Sequence, residues 1–313
     1  MTANRLRVTI TGVDGFVGGH LARLAVAAGH DVTGIIRSEQ SAAVASKLGI
    51  EHRTADLTEN WPADALGDVV VHLAGRAAVG PSFDAPQLYL TDNSSMVTNL
   101  FEAILRRPVG ERPRVVVVSS GAVYRAPEDA LPRDEDAPIG HSSPYVVSKL
   151  LVEHQVRYYR QRGVDAVIAR PFNHIGPGQS RGFVVPDLAE SLRLLPEGEP
   201  LLVGDLTTRR DYTDVRDVAD AYLRLATASQ LRHTVYNVSS GHSLAGTELL
   251  GILCAAMGRA VPELSVDERR IRATDARDIV GSSTRLSDEL GWRPALSVQR
   301  SISDFVAANA SDQ

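Results

Sequence analysis

The chain has 313 residues, 43% of them hydrophobic, and a formal net charge of −5 at pH 7. These values predict an ordinary globular protein of one large domain or two modest ones. Acidic residues outnumber basic ones by 38 to 33, which gives no positive field for nucleic acid, and we exclude nucleic acid as a partner.

Targeting and anchoring segments are not visible in the sequence. A strand-like run begins by Leu6, which leaves no room for a signal peptide. No apolar stretch is long enough to span a bilayer. The one cysteine, Cys254, lies in an apolar run and predicts a buried thiol rather than a disulfide or a Cys/His metal site. We therefore expect a cytoplasmic protein with no membrane partner and no bound metal.

Strand-like and helix-like segments alternate along the first part of the chain. Short β-rich or apolar runs predict strands at 6–11, 31–37, 69–73, 115–118 and 164–169. Helical patterns lie between them, at 20–28, at 94–106 and after Pro144. This alternation predicts an α/β fold built on a doubly wound parallel sheet.

The alternation loosens after about residue 175. The sequence predicts helices at 183–195, 214–226 and 244–257 and strands at 201–203 and 234–238. We expect the second strand to return to the main sheet, and Thr213 or Asp214 to cap the second helix. The expected division is a sheet domain of residues 1–175 with return segments near 207–243, and a smaller interwoven C-terminal lobe of residues 176–206 and 244–313.

Three glycines, Gly12, Gly15 and Gly18, stand between the first predicted strand and the first predicted helix. In a parallel sheet the pyrophosphate of a dinucleotide meets a helix N-terminus at this point, and glycines let the backbone approach it closely. The spacing differs from the better-known G-x-G-x-x-G, and a plain glycine-rich turn is the alternative. With Phe16 and Val17, the segment predicts a dinucleotide-binding loop.

Two positions bear on which dinucleotide binds. Arg37 ends the second predicted strand, where arginine suits the 2′-phosphate of NADP and an acidic residue suits the ribose of NAD. NADP is therefore favoured, with NAD as the alternative. Asp56-Leu57 lies where an acidic side chain meets the adenine. A solvated surface arginine and a turn aspartate are the other interpretations of these residues.

Two further predicted strands end in small residues. Leu73-Ala74-Gly75 follows one of them, and Ser119-Ser120 follows the other. Ligands of doubly wound sheets bind outside the carboxyl ends of the strands, so both segments are candidates for the binding crevice.

Tyr145 and Lys149 lie one helical turn apart after Pro144, so they share one face of a helix. A phenol has a reference pKa of about 10, and we expect the adjacent ammonium to lower the pKa of Tyr145. The pair predicts a proton relay to a carbonyl or an alcohol, with Ser120 donating a hydrogen bond to the same group.

Together these motifs resemble the extended short-chain dehydrogenase/reductases that act on nucleotide-activated sugars, in the epimerase/dehydratase family. The resemblance covers nearly the full length of the chain. It rests on Thr11-Gly12-x-x-Gly15-Phe16-Val17-Gly18, His72-Leu73-Ala74-Gly75, Asn93, Ser119-Ser120-x-x-Val123-Tyr124, Tyr145-x-x-x-Lys149 and Arg170-Pro171-Phe172-Asn173.

Within that family the chain looks most like the GDP-4-keto-6-deoxy-D-mannose reductases. Segments 170–179, 182–187 and 210–217 carry this closer match. The resemblance implies a Rossmann domain, an NADP-dependent reduction of a nucleotide sugar, and a homodimer formed through helices near 94–106 and 145–162. The implied catalytic residues are Ser120, Tyr145 and Lys149. The implied ligand contacts also include Asn93 and Pro171 for the cofactor, and Asn173, Val184, Arg210, Arg272 and Arg277 for the sugar nucleotide.

The chain departs from the family pattern in three places. Gly121-Ala122 replaces the acidic pair of the sugar-nucleotide dehydratases, so we exclude water elimination. Arg125 stands where the family usually has glycine, and the segment after Arg272 lacks the usual proline. For His174 a packed histidine and a sugar contact are both open, and for Asp214 and Asp217 we prefer helix capping.

The sequence therefore predicts an NAD(P)H-dependent 4-ketoreductase of a nucleotide-linked 4-keto-6-deoxy sugar, with Tyr145 as proton donor. One alternative is a sugar-nucleotide 4-epimerase that keeps NAD tightly bound. The other is a non-catalytic NADP-binding protein, which the complete set of Ser120, Tyr145 and Lys149 disfavours.

Overall fold

The computed structural model describes residues 5–125, 131–270 and 277–310. Its strands are β1 (Arg7–Thr11), β2 (Asp31–Ile36), β3 (Glu51–Thr54), β4 (Val69–His72), β5 (Arg114–Val118), β6 (Ala166–Pro171), β7 (Asn173–Ile175), β8 (Leu201–Val203), β9 (Arg209–Asp214), β10 (Val235–Val238), β11 (Ser243–Ala245), β12 (Leu264–Val266) and β13 (Asp278–Ile279). Its α-helices are α1 (Phe16–Ala27), α2 (Ala42–Lys47), α3 (Pro81–Asp84), α4 (Pro86–Leu105), α5 (Pro144–Gln161), α6 (Val184–Leu194), α7 (Val215–Thr227), α8 (Gly246–Ala256), α9 (Thr284–Leu290) and α10 (Val298–Ala310).

Seven parallel strands form the central sheet, in the order β10-β6-β5-β4-β1-β2-β3. Successive residues of β4, β5 and β6 alternate between two separate apolar clusters, so the sheet is covered on both faces. Val116 packs with α1 and α7 on one face, and Val117 packs with α4 and α5 on the other. The predicted doubly wound α/β fold is confirmed.

A smaller group of elements covers one end of this sheet. Strands β11, β9 and β13 pair side by side with β7 joining β9, and β8 pairs with β12. Helices α6, α8 and α10 bury a third apolar cluster with them, which includes Cys254. Strand β10 joins the main sheet as expected, whereas β9, from the same return segment, pairs in the second sheet. The division of the chain into two domains stays a prediction.

Two helices begin earlier than the sequence suggested. α1 starts at Phe16 directly after the glycine loop, and α4 starts at Pro86 rather than near 94. The first turn of α1 contains two glycines, and α4 has Pro86 at its first position, where proline is favourable. No helix of the described ranges is long and apolar enough to cross a membrane.

The two acidic residues at the start of α7 have different roles. The Asp214 carboxylate accepts the backbone N–H of Arg216 at 2.8 Å, so it caps the helix as predicted. Asp217 accepts the N–H groups of Ala295 and Leu296 at 3.0 and 2.9 Å instead. The capping prediction for Asp217 is therefore wrong, because this carboxylate ties a distant loop to the helix.

Candidate active site

A cavity of about 1430 Å³ runs along the carboxyl edge of the central sheet. Its walls come from the segments that follow β1, β2, β4, β5 and β6, together with the start of α5. The second group of strands and helices closes its far end, through Asn173, Val184 and Arg210. Most of the predicted site residues therefore face one space.

The glycine loop gives this cavity a backbone wall. Gly12 has φ +63°, a left-handed conformation that glycine adopts without strain. A Cβ added to Gly18 would lie 2.2 Å from the Gly12 carbonyl oxygen, and one added to Gly15 would lie 3.1 Å from the same atom. Glycine at position 18 thus lets α1 pack against the loop and point its N-terminus at the cavity. This cradle fits the pyrophosphate of a dinucleotide.

Arg37 and Asp56 line the same cavity beyond the glycine loop. An Arg37 Nη2 atom donates to Asp56 Oδ2 at 3.2 Å, and the Arg37 side chain is 71% exposed. Hydrogen bonds from Thr58, and more weakly the charge of Arg37, lower the pKa of Asp56. Arg37 therefore keeps an accessible guanidinium at the end of β2, where a 2′-phosphate would bind.

Ser120, Tyr145 and Lys149 meet at the middle of the cavity. Helix α5 begins with Pro144 behind the cap Ser143, whose side chain accepts the N–H of Val146. The Tyr145 hydroxyl interacts with the Ser120 side chain, and this interaction lowers the pKa of Tyr145. Lys149 Nζ donates to the Val118 carbonyl at 2.9 Å and lies 5.9 Å from the centre of the Tyr145 ring. The sequence spacing therefore becomes a contiguous Ser–Tyr–Lys arrangement.

The acid–base properties of this set differ from the expectation. Burial raises the pKa of Tyr145, and its interaction with Ser120 lowers it less. The pKa of Lys149 falls to about 8, mainly because burial penalises its charge, while the Glu153 carboxylate opposes that shift. The expectation that Lys149 depresses the pKa of Tyr145 is wrong for this structure. The Lys149 ammonium donates to the Val118 carbonyl, and burial removes the Tyr145 phenol from water.

A buried ion pair lies next to Lys149 and Ser119, beneath the Ser–Tyr–Lys arrangement. Glu153 is one helical turn beyond Lys149, and its two carboxylate oxygens accept from Arg170 Nε and Nη2 at 2.8 and 2.7 Å. Ser119 Oγ donates to the same carboxylate at 2.8 Å. The Glu153 side chain is fully buried and that of Arg170 is 2% exposed. The pair joins α5 to the ends of β5 and β6, and sequence reasoning missed it.

The remaining predicted ligand contacts divide into three groups. Those that line the cavity are Phe16, Val17, Leu57, Leu73, Ala74, Gly75, Ser119, Pro171, Asn173, Val184 and Arg210. Asn93 and Arg277 are not among its lining residues. Arg272 lies outside the described residues.

Asn93 supports the wall of the cavity from behind. Its Oδ1 accepts the N–H of Arg76 at 2.8 Å, and its amide donates to Ser148 Oγ at 3.0 Å. Gly75 passes so close that a Cβ there would lie 3.0 Å from this Oδ1. Asn93 therefore shapes the turn after β4 instead of facing the ligand space.

His174 and Arg125 also occupy the walls of the cavity. His174 stacks on the Phe16 ring with centroids 5.9 Å apart, and its Nδ1 lies 3.1 Å from the Phe172 carbonyl oxygen. Burial lowers its pKa, so the imidazole is neutral at pH 7. His174 is thus a packed, hydrogen-bonded histidine that faces the cavity. Arg125 places an exposed cation at the rim.

Two buried polar groups facing the cavity escaped sequence reasoning. Tyr222 is fully buried on α7 and Gln179 is 8% exposed, and both line the cavity. Among the described residues, neither the Tyr222 hydroxyl nor Gln179 Oε1 has a hydrogen-bond partner. Buried groups of this kind suit a site that receives a polar ligand. The described residues contain no group of three or more His, Cys, Asp or Glu side chains that could hold a metal ion.

The doubly wound sheet, the glycine cradle and the Ser–Tyr–Lys set define a nucleotide-dependent oxidoreductase of the short-chain type. A family model described as the NAD dependent epimerase/dehydratase family matches residues 8–239, and the chain belongs to that family. It is an enzyme of the NAD(P)-dependent sugar-nucleotide oxidoreductase class, as the sequence motifs predicted.

The chain is similar to reductases and to epimerases that act on nucleotide sugars. A GDP-6-deoxy-D-mannose reductase of Pseudomonas aeruginosa is 35% identical over 306 residues, covering 95% of this chain and 94% of that protein. The solved structure of RMD from Pseudomonas aeruginosa complexed with NADPH matches with a TM-score of 0.82 and 32% identity, covering 98% of this chain and 100% of that one. A UDP-glucose 4-epimerase of Azospirillum brasilense is 31% identical, covering 97% of this chain and 95% of that protein.

Proposed function

We propose that the protein is an NADPH-dependent reductase of a nucleotide-linked 4-keto-6-deoxy sugar, of the GDP-4-keto-6-deoxymannose type. The observation that carries this proposal is the meeting of Ser120, Tyr145 and Lys149 in the cavity that also holds the glycine cradle and Arg37. The similarity to the GDP-6-deoxy-D-mannose reductase and to the NADPH-bound RMD structure supports it.

Each catalytic side chain has a distinct role in this proposal. Bound NADPH supplies the hydride for C4. Tyr145 gives its proton to the ketone oxygen, and its raised pKa keeps the phenol protonated until that moment. Ser120 donates a hydrogen bond to the same oxygen. Lys149 holds the cofactor ribose through its ammonium group.

The smaller group of elements would receive the nucleotide end of the substrate. Asn173, Val184 and Arg210 line the cavity on that side, and we assign them to the sugar nucleotide. Residues 176–206 and 244–313 would form this substrate lobe, and residues 1–175, with return segments near 207–243, the dinucleotide-binding domain. For Arg277, which does not line the cavity, only the family resemblance supports a contact with the sugar nucleotide.

A homodimer is part of the proposal. Helices α4 and α5 pack together on one face of the sheet, and their outer surface exposes apolar side chains. Leu88 is 47% exposed, Val147 39%, Leu151 38% and Tyr158 53%. A second copy of the chain would cover them, and light scattering of the purified protein measures its mass directly.

The function is tested by measuring how much NADPH is consumed and how much reduced sugar is formed. The substrates are GDP-, dTDP-, UDP- and CDP-linked 4-keto-6-deoxy sugars. The proposal expects one NADPH consumed per reduced sugar, with the GDP-linked ketone as the best substrate. Consumption with another nucleotide would change the substrate assignment. Absence of NADPH consumption with every ketone would refute the reductase.

The epimerase alternative has support of its own, because several UDP-glucose 4-epimerases are similar to the chain over nearly its full length. A 4-epimerase uses the same three catalytic side chains, keeps NAD bound, and returns the hydride to the same sugar. It would convert a nucleotide sugar with no net loss of added NADPH. The accessible guanidinium of Arg37 favours the exchangeable NADPH of a reductase.

Replacing Arg37 by alanine tests the cofactor preference. Loss of a charged contact to the 2′-phosphate is expected to raise the Kd for NADPH roughly 10- to 100-fold and to leave the Kd for NADH within about twofold. Fluorescence titration measures both constants. Arg53→Ala is the matched control, since Arg53 lies on the neighbouring strand β3, pairs with Asp64 and does not line the cavity. Equal losses for both dinucleotides would contradict the assignment of Arg37.

The pH profile tests the role of Lys149. Because its pKa is about 8, kcat is expected to fall as pH rises through about 8, when the ammonium loses its proton. The effect of Lys149 on the stability of the fold has the opposite dependence on pH. Between about pH 8 and the ordinary lysine pKa of 10.5 the folded form binds fewer protons than the unfolded chain, so this residue's contribution to the free energy of unfolding increases with pH. A kcat that stays flat to pH 9.5 would contradict the role.

A further inference from the structure

The hydroxyl of Tyr222 is buried at the cavity without a partner among the described residues. Its side chain is fully buried on α7, in the apolar cluster that covers one face of the sheet. An unpaired hydroxyl in such a place costs free energy in the folded protein, since its hydrogen bonds to water are lost and not replaced. A phenylalanine would fill the same apolar volume without that cost. Packing alone therefore does not explain why tyrosine rather than phenylalanine stands at position 222.

Position within the fold indicates which part of the cavity this hydroxyl faces. Helix α7 contacts β4, β5 and β6, and Val118 at the end of β5 packs against the same cluster as Tyr222. The Val118 carbonyl is the acceptor of Lys149. Tyr222 lies near enough to Tyr145 that a negative charge on the Tyr145 phenolate would add to the effect of burial in raising the pKa of Tyr222. Tyr222 thus approaches the catalytic set from the face of the sheet opposite α5.

We propose that the Tyr222 hydroxyl is a hydrogen-bond donor to the bound dinucleotide at its reacting end. This inference rests on the proposed function, because it requires a nicotinamide dinucleotide in the cavity. With its pKa raised well above 10, the phenol stays protonated at neutral pH and acts as a donor. Tyr222 would be a binding residue on the floor of the site, while Tyr145 alone moves a proton.

Tyr222→Phe separates this role from a structural one, since the two roles change stability in opposite directions. If the hydroxyl serves only the ligand, its removal leaves the melting temperature of the free protein equal or higher, by about 2 °C. The Kd for NADPH then rises roughly five- to tenfold, the loss of one neutral hydrogen bond. Thermal unfolding and fluorescence titration measure these two quantities on the full chain.

Tyr236→Phe is the matched control. Tyr236 is also fully buried and belongs to the same cluster, but its hydroxyl donates to Glu289 at 2.7 Å and accepts from the His233 N–H at 3.0 Å. It does not line the cavity. Its removal is expected to lower the melting temperature by roughly 2–4 °C and to leave the Kd for NADPH unchanged.

A Kd for NADPH within twofold of the wild-type value in Tyr222→Phe would overturn the inference. So would a fall in melting temperature like that of the control, because it would mean that the hydroxyl has a partner within the protein. Failure of the wild-type chain itself to bind NADPH would instead refute the proposed function, so the two failures are distinguishable.

Discussion

Tyr145→Phe is expected to lower kcat by about 10²- to 10⁴-fold, which is the usual loss when a general acid is removed. The variant keeps the ring that packs in the apolar cluster around Val146 and loses only the hydroxyl that interacts with Ser120. The glycine cradle and Arg37 are untouched, so NADPH binding should persist. Steady-state kinetics with the keto sugar and titration with NADPH measure the two effects separately.

A second buried tyrosine provides the control for that experiment. Tyr89 belongs to the same cluster and donates its hydroxyl proton to the Ala78 carbonyl at 2.7 Å, but it does not line the cavity. Tyr89→Phe should therefore reduce stability slightly and leave kcat within a few-fold of the wild type. Turnover close to normal in Tyr145→Phe, or an equal loss in both variants, would show that Tyr145 is not the proton donor.

Glu153→Gln is expected to cost about 3–5 kcal/mol of stability, the largest effect we predict outside the cavity. The substitution preserves shape but leaves the buried guanidinium of Arg170 without a counter-charge. It also removes the carboxylate that opposes the fall in the pKa of Lys149. The basic limb of the kcat profile should therefore move to lower pH in this variant. Denaturant unfolding and the pH profile give the two readouts.

An exposed pair of the same chemistry is the control for Glu153. Asp220 and Arg224 are one turn apart on α7 and make a 2.7 Å ion pair with both side chains partly exposed. Asp220→Asn should change the free energy of unfolding by less than about 0.5 kcal/mol, because solvent screens the pair. A similarly small loss in Glu153→Gln, with an unmoved pH profile, would mean that the buried pair neither stabilises the fold nor tunes Lys149.

Local signals explain what the sequence could predict. Proline at the start of α5 and a spacing of four residues were sufficient to place Tyr145 and Lys149 on one face of a helix. The glycine loop was recognisable because it stands between an apolar strand and a helix. Each of these features depends on residues that are close together in the chain, so periodicity and turn chemistry reveal them.

Tertiary contacts account for what the sequence did not reveal. The pair of Glu153 and Arg170 forms only because α5 packs across the ends of β5 and β6. The strand β9, with four charged residues among six, shows no apolar alternation, yet it is held by the Asp211 carboxylate, which accepts N–H groups of Ser240, Gly241 and Gly281. The direction of the Tyr222 hydroxyl likewise depends on how α7 lies on the sheet, which no local pattern encodes.

The most direct test of the central claim follows the hydride itself. The chain would be incubated with a GDP-linked 4-keto-6-deoxy sugar and NADPH that carries deuterium at both positions of nicotinamide C4, and the product would be examined by mass spectrometry and NMR. A reductase places one deuterium at C4 of the sugar for each NADPH consumed. Absence of both labelled product and NADPH loss would contradict the account. Conversion of a nucleotide sugar that carries a 4-hydroxyl group, without loss of NADPH, would instead identify an epimerase that returns the sugar's own hydride.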